Sequence, residues 1–175
     1  DYVREKIVYD TERFASVPAF VLTPKGLKRG ERRPGILAAH GHGIGKNALV
    51  GLDADEKPHE GYEKQLAVQL VQKGYVVVAP DWRGFGERMS PEDWVRERRD
   101  KCNVNYMAEG YRGYHFLALQ IWDGLRTLDY LQSRKEVNEK WIGCLGVSFG
   151  GTMTTYLAAL DQRIKCACIS GYMST

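Results

Sequence analysis

Apolar residues in this chain fall into short runs, and the spacing within the runs changes along the sequence. Near the start the runs alternate or are brief. Ile7 and Tyr9 mark one face of the stretch Arg4 to Tyr9, and Val17 to Leu22 follows after a polar break. A period of two predicts an antiparallel strand pair, closed off by the loop residues Pro24, Gly26 and Gly30. From Gly35 onward the runs become continuous: Gly35 to His40, Tyr75 to Ala79, Trp141 to Val147 and Ile164 to Ile169. Short unbroken apolar runs bounded by glycine or proline predict buried strands. Between them the apolar positions recur at helical spacing. Tyr62, Leu66 and Leu70 make one stripe, with Gly74 placed to stop it. Leu117, Ile121, Leu125, Leu128 and Leu131 make a longer one, and Phe149 to Leu160 a third. Residues 87–104 read as polar and irregular. The alternation of strand and helix after Gly35 predicts an α/β fold: a mostly parallel sheet, helices on both faces, and an antiparallel hairpin in front. No repeat and no linker divides the chain, so residues 1–175 read as one domain.

In an open parallel sheet, ligands bind beyond the carboxyl ends of the strands. Three glycine-rich loops leave such ends: His40-Gly41-His42-Gly43, Asp81 to Gly86, and Gly146-Val147-Ser148-Phe149-Gly150. The last is a Gly-x-Ser-x-Gly string between a strand and a helix, the context in which a serine becomes an exposed nucleophile on a sharp turn. Gly146 and Gly150 leave out side chains that would collide there, and Gly151 extends the permissive stretch. Ser148 is therefore the candidate catalytic residue. The N–H of Phe149, at the start of the helix, is a candidate oxyanion donor, and the N–H of His42 is the second. His40, Gly41 and Arg83 are placed at the border of the same pocket. His40 reads as a structural side chain bonding to nearby backbone, and Arg83 as tied to a carboxylate such as Asp81 or Glu87. Asp123 and Asp129 read as partners of nearby Arg126 and Arg134.

Competing motifs fail on spacing. A phosphate loop ending at Gly45-Lys46 needs glycine at position 40, where His40 stands, and Ser or Thr at 47, where Asn47 stands. A dinucleotide pattern starting at Gly41 meets Lys46 at its third glycine. His40 and His42 lack a third ligand at metal spacing, so neither a metal nor another cofactor is expected.

Composition changes this picture little. The net charge of +3 is too small to call for nucleic acid or an anionic membrane surface. The cluster Arg96, Arg98, Arg99 and Lys101 is interleaved with Glu97 and Asp100 and reads as a solvated mixed-charge face. No apolar stretch reaches the roughly 20 residues of a membrane span. Cys144, Cys166 and Cys168 lie in apolar runs and read as buried thiols in a reducing, cytoplasmic setting. The chain opens on Asp1 rather than Met, so a natural start upstream is expected.

Four segments taken together carry a family resemblance: "ILAAHGHGIGK", "VVVAPDWRGFGER", "LRTLDYLQSRKEVNEKWIGCLGVSFGG" and "ALDQRIKCACISGYMS". In this order and spacing they resemble the α/β-hydrolase superfamily, and within it the dienelactone hydrolase and acetyl xylan esterase-like group. The resemblance implies a serine esterase acting on a small-molecule ester through an acyl-enzyme, with Ser148 as nucleophile and His42 and Phe149 at the oxyanion. It also implies further strands after Gly171, bringing an acid and then a histidine. No histidine follows Ser148; the last is His115. The expectation is therefore a C-terminally truncated domain, with neither triad partner in this chain and a sheet edge prone to self-association. A non-catalytic binding module and a prolyl oligopeptidase-like peptidase are the alternatives.

Overall fold

Strand β1 (Tyr2–Glu12) pairs antiparallel with β2 (Ala15–Pro24), and β2 pairs antiparallel with β4 (Val76–Pro80). From β4 the sheet turns parallel through β3 (Arg33–Ala39), β5 (Val137–Val147) and β6 (Ile164–Ser170). The six strands lie in the order β1-β2-β4-β3-β5-β6. The structure is a computed structural model and describes residues 1–90 and 101–172.

Helices cover both faces of the sheet. A single turn, α1 (Lys46–Leu49), and α2 (Leu66–Gln72) cover one face. The other carries α4 (Phe116–Ser133) and α5 (Phe149–Leu160). Side chains point to opposite faces at successive strand positions, so the continuous apolar runs feed two cores. Val76, Val78, Leu37, Ala39, Ile142 and Cys144 pack with Leu128, Leu131, Met153 and Leu157 of α4 and α5. Val77, Ala79, Ala38 and Leu22 pack with Leu49, Ala67, Val68 and Val71 of α1 and α2.

The structure differs from the sequence expectation in several places. Helix α3 (Lys101–Tyr111) occupies part of the stretch read as irregular. Its weak apolar pattern, broken by Asn103, Asn105 and Gly110, hides it. Tyr62 is not part of α2. The helix begins at Leu66, after Lys64 and Gln65 turn the chain with φ of 49° and 54°. Cys166 and Cys168 are exposed rather than buried, while Cys144 is buried as expected. They lie on the α2 side of the sheet, where the cover ends before reaching β6. There an open groove of about 410 Å³ runs past Ile36, Leu70, Tyr75, Trp141, Cys166 and Cys168. The basic cluster at 96–99 lies outside the described residues.

Asp123 also departs from expectation. It is fully buried and reaches across the structure rather than along α4. Arg83 grips both its oxygens, Nε to Oδ2 at 2.7 Å and Nη2 to Oδ1 at 2.9 Å. Arg88 Nη1 and Thr11 Oγ1 each add a bond at 2.7 Å. Burial pushes this carboxyl up, but the bonds and charges of Arg83, Arg88 and Thr11 outweigh it and hold it below the usual range. The cluster fastens the loop after β4 to the hairpin and to α4. Asp129 does pair locally with Arg126 at 2.6 Å, and also meets Arg163 at 2.6 Å.

Candidate active site

Strand β5 ends at Val147 and α5 begins at Phe149, so Ser148 must turn the chain in a single residue. It does so with φ 56° and ψ −119°. Side chains rarely adopt this region, and the strain costs on the order of 1–3 kcal/mol. The surroundings hold it there. Ser148 N–H donates to Ser170 O of β6 at 2.8 Å, and Ser148 C=O accepts from Thr152 N–H at 3.1 Å. The glycines beside it are steric necessities. A Cβ on Gly146 would run into the Gly150 carbonyl, and a Cβ on Gly150 into the Ala39 carbonyl. The Ser148 side chain is half-buried and makes no capping bond to its own helix. The first-turn N–H groups, including that of Phe149, have no intrahelical acceptor.

The register of β3 and β5 pairs Ala39 with Gly146, so the loop 40–43 leaves the sheet beside this turn. A Cβ on Gly41 would sit 2.8 Å from Val147 O. The third loop joins them through aromatic rings. His42 and Phe149 lie 4.9 Å apart by ring centroid, His42 and Phe85 5.5 Å, and Phe85 and Phe149 5.6 Å. The three glycine-rich loops thus meet at one edge of the sheet.

The sequence-predicted residues play different parts there. His40 is fully buried, so it does not line an open pocket. Its Nε2 accepts from Trp82 N–H at 3.1 Å, which leaves the proton on Nδ1 to donate to Gly41 O at 2.7 Å. Burial pushes its pKa down, against the pull of Asp81, and keeps the ring neutral. The Gly41–His42 peptide is trans, so its N–H points opposite to its C=O. With Gly41 O held against the buried His40 ring, the His42 N–H faces away from the core.

Arg83 is committed to Asp123 and Glu12 and does not border the pocket as a free cation. Its carboxylate partners are not the expected Asp81 and Glu87. Those two instead receive Lys46, which is 1% exposed and bonds Asp81 Oδ2 at 2.7 Å and also Glu87. The lysine that imitates a phosphate loop in sequence is therefore a buried strut. His42 is exposed, and its Nε2 lies 3.0 Å from Cys102 Sγ of α3.

A cleft of about 280 Å³ opens between these loops and α3, lined by His42, Cys102, Tyr106, His115, Phe116 and Phe149. Among the described residues no group of three or more His, Cys, Asp or Glu side chains could hold a metal ion. None of their helices is long and apolar enough to cross a membrane.

Sequence reasoning missed two residues here. Glu63 is buried and accepts the Gly41 N–H at Oε1, 2.5 Å away. Tyr62 donates its hydroxyl to His42 O at 3.0 Å. Tyr62 was masked by its spacing to Leu66 and Leu70. Glu63 carried no signal beyond being a carboxylate among polar neighbours.

The profile of the α/β hydrolase fold matches residues 42–173. The chain belongs to the α/β-hydrolase fold family. Similar proteins include the candidate hydrolase YtaP of Bacillus subtilis, 34% identical over 92% of this chain and 50% of YtaP. A solved candidate acetyl xylan esterase of Bacteroides fragilis superposes with a TM-score of 0.83 over 95% of this chain, at 22% identity and 44% of its own length. The methylesterase BT1017 matches at 26% identity and TM-score 0.69 over 95% of this chain and 31% of its own. A dienelactone hydrolase-like phosphotriesterase from metagenomic libraries also shares the fold, with a TM-score of 0.63, 19% identity, and 95% and 57% coverage. The chain spans half the length of YtaP and 28–30% of the other curated relatives it matches.

Proposed function

We propose that the protein hydrolyses a carboxylic ester through an acyl-enzyme, with Ser148 as nucleophile. The single observation that carries this reading is the backbone at Ser148: a non-glycine residue held at φ 56° on a strand-to-helix turn, beside the loop bearing the His42 amide. Strain of this kind at a ligand edge is kept where it serves chemistry. Ser148 Oγ attacks the ester carbonyl, and the amides of His42 and Phe149 receive the oxygen as it becomes negative. The cleft beside His42 and Phe149 takes the group next to the carbonyl. The proton of Ser148 passes to a histidine outside this chain, since none follows position 148.

Esterase neighbours agree with an ester as substrate. A peptidase would use the same acyl-enzyme, and acylaminoacyl peptidases share the fold at a TM-score of 0.61 and 20% identity. Comparing p-nitrophenyl acetate with an aminoacyl amide separates the two. The decisive test treats the full-length protein with a fluorophosphonate probe. We expect one adduct, on Ser148, and none in Ser148→Ala, with esterase turnover lost by at least about 10³-fold. Undiminished labelling or turnover of Ser148→Ala contradicts the proposal and favours another residue. A folded protein that never labels favours a binding module.

A further inference from the structure

The amide assigned to the oxyanion sits in a run of glycines that has little stiffness of its own. His40 holds the Gly41 carbonyl from the core side. The outer side is held by two consecutive residues just before α2. Glu63 is 4% exposed, and its Oε1 accepts the Gly41 N–H at 2.5 Å. The Tyr62 hydroxyl donates to the His42 carbonyl at 3.0 Å. A Cβ at position 41 would run into that hydroxyl, which gives Gly41 its own steric reason. The two side chains therefore fix the peptide unit before the Gly41–His42 peptide and the one after it.

We infer that Glu63 and Tyr62 are positioning residues for the ester hydrolysis proposed above, clamping the loop so that the His42 N–H faces the carbonyl oxygen as its charge develops. The inference rests on that reading of Ser148. The choice of side chain supports a role beyond holding the fold. A buried carboxyl is a costly tether, and Glu63 Oε2 has no hydrogen-bond partner among the described residues. Burial pushes the Glu63 carboxyl up, against the pull of the Gly41 N–H and Tyr62. Burial likewise pushes Tyr62 up to about 12, so its hydroxyl stays a donor at neutral pH. The clamp also forms one wall of a separate small cavity of about 170 Å³ behind the glycines, with His59 and Gly61. The two bonds oppose rotation of the loop into this space.

The test uses the full-length protein and reads kcat, KM and the inhibition constant of a trifluoromethyl ketone, whose adduct with a serine carries an oxyanion. Glu63→Ala lowers kcat by about 10–10²-fold with KM within about threefold, the range expected when an oxyanion donor is misplaced rather than deleted. It weakens the ketone by the same factor as kcat/KM, as loss of transition-state binding requires. Glu63→Gln keeps an acceptor oxygen for the Gly41 N–H and recovers kcat to within about fivefold of the parent. Tyr62→Phe lowers kcat about three- to tenfold, in line with one lost hydrogen bond. Tyr62 is 52% exposed, so the folded state survives that change.

Glu63→Ala and Tyr62→Phe both leaving kcat within twofold overturns the inference. So does a loss confined to KM, with ketone affinity unmoved. Should Glu63→Ala fail to fold, Tyr62→Phe decides by the same criterion. Ser148→Ala in the same assay separates the two levels: full turnover there sinks the ester-hydrolase reading, while a dead Ser148→Ala beside unaffected clamp variants sinks only the clamp.

Discussion

Strand β5 shows two different regions of this molecule within a few residues. Its carboxyl end feeds the edge where Ser148, His42 and Phe85 meet, and five backbone groups there are held by specific bonds. Gly41 N–H, Gly41 C=O, His42 C=O, Ser148 N–H and Ser148 C=O each have a named partner. Charges are buried and paired, glycines are required, and a serine is held in a strained conformation. One face of the middle of the strand is the opposite. Trp141 is 62% exposed, Cys166 and Cys168 beside it are open, and the groove between them and Tyr75 is apolar. The other face of the same residues, Ile142 and Cys144, is closed by α4 and α5. The apolar pattern calls for cover on both faces, and the described residues supply it on one. Order at the edge comes from specific bonds and steric exclusion, whereas the open face has only apolarity.

Gly150→Ala tests the edge most severely. Its new Cβ meets the Ala39 carbonyl, backbone that cannot swing aside, so we expect at least about 3 kcal/mol of lost stability or failure to fold. A folded variant within 1 kcal/mol by urea unfolding breaks the claim that the edge is sterically determined.

The two faces of β5 can be set against each other directly. Ile142→Ala removes a 1% exposed side chain and costs about 2–5 kcal/mol. Trp141→Ala, next to it, costs less than about 1 kcal/mol in the 175-residue chain. Similar losses for the two, by denaturant titration, show that the open face is covered after all.

Thiol chemistry reads the same contrast without mutation. Cys144 is buried, burial pushes its thiol up to about 12, and its Sγ contacts Thr154 at 3.4 Å. A maleimide should label Cys166 and Cys168 in the native 175-residue chain and reach Cys144 only on unfolding. Equal protection of all three contradicts the open face.

The smallest effect is in pH. His40 has a folded pKa lowered from 6.5 by burial. Between that lowered value and 6.5 the unfolded chain binds more protons, so stability rises with pH across the window and falls as pH drops below 6.5. By NMR the His40 ring should stay neutral while an ordinary histidine titrates. A His40 midpoint at or above 6.5 is inconsistent with the neutral ring that holds Gly41 O.

Much of this fold was legible because continuous apolar runs and helical stripes alternate cleanly from Gly35 onward. The turn at Ser148 was legible because steric demand writes itself as glycine at 146 and 150. The rest left no such mark. Arg83 and Arg88 lie 40 and 35 residues from Asp123 in sequence, and only the closed fold makes one charge cluster of the three. Tyr62 looked like a helix position because its spacing to Leu66 happens to be four. Cys166 and Cys168 were misread because composition reports how apolar a strand is, while burial depends on what packs against it.

The central claim is that Ser148 stands beside two main-chain donors aimed at one point. A crystal structure of the full-length protein phosphonylated by a fluorophosphonate tests it most directly. The account predicts phosphorus on Ser148 Oγ and its oxygen about 2.7–3.1 Å from the N–H groups of both His42 and Phe149. An adduct on another residue, or a phosphonyl oxygen turned away from His42 toward solvent, contradicts it.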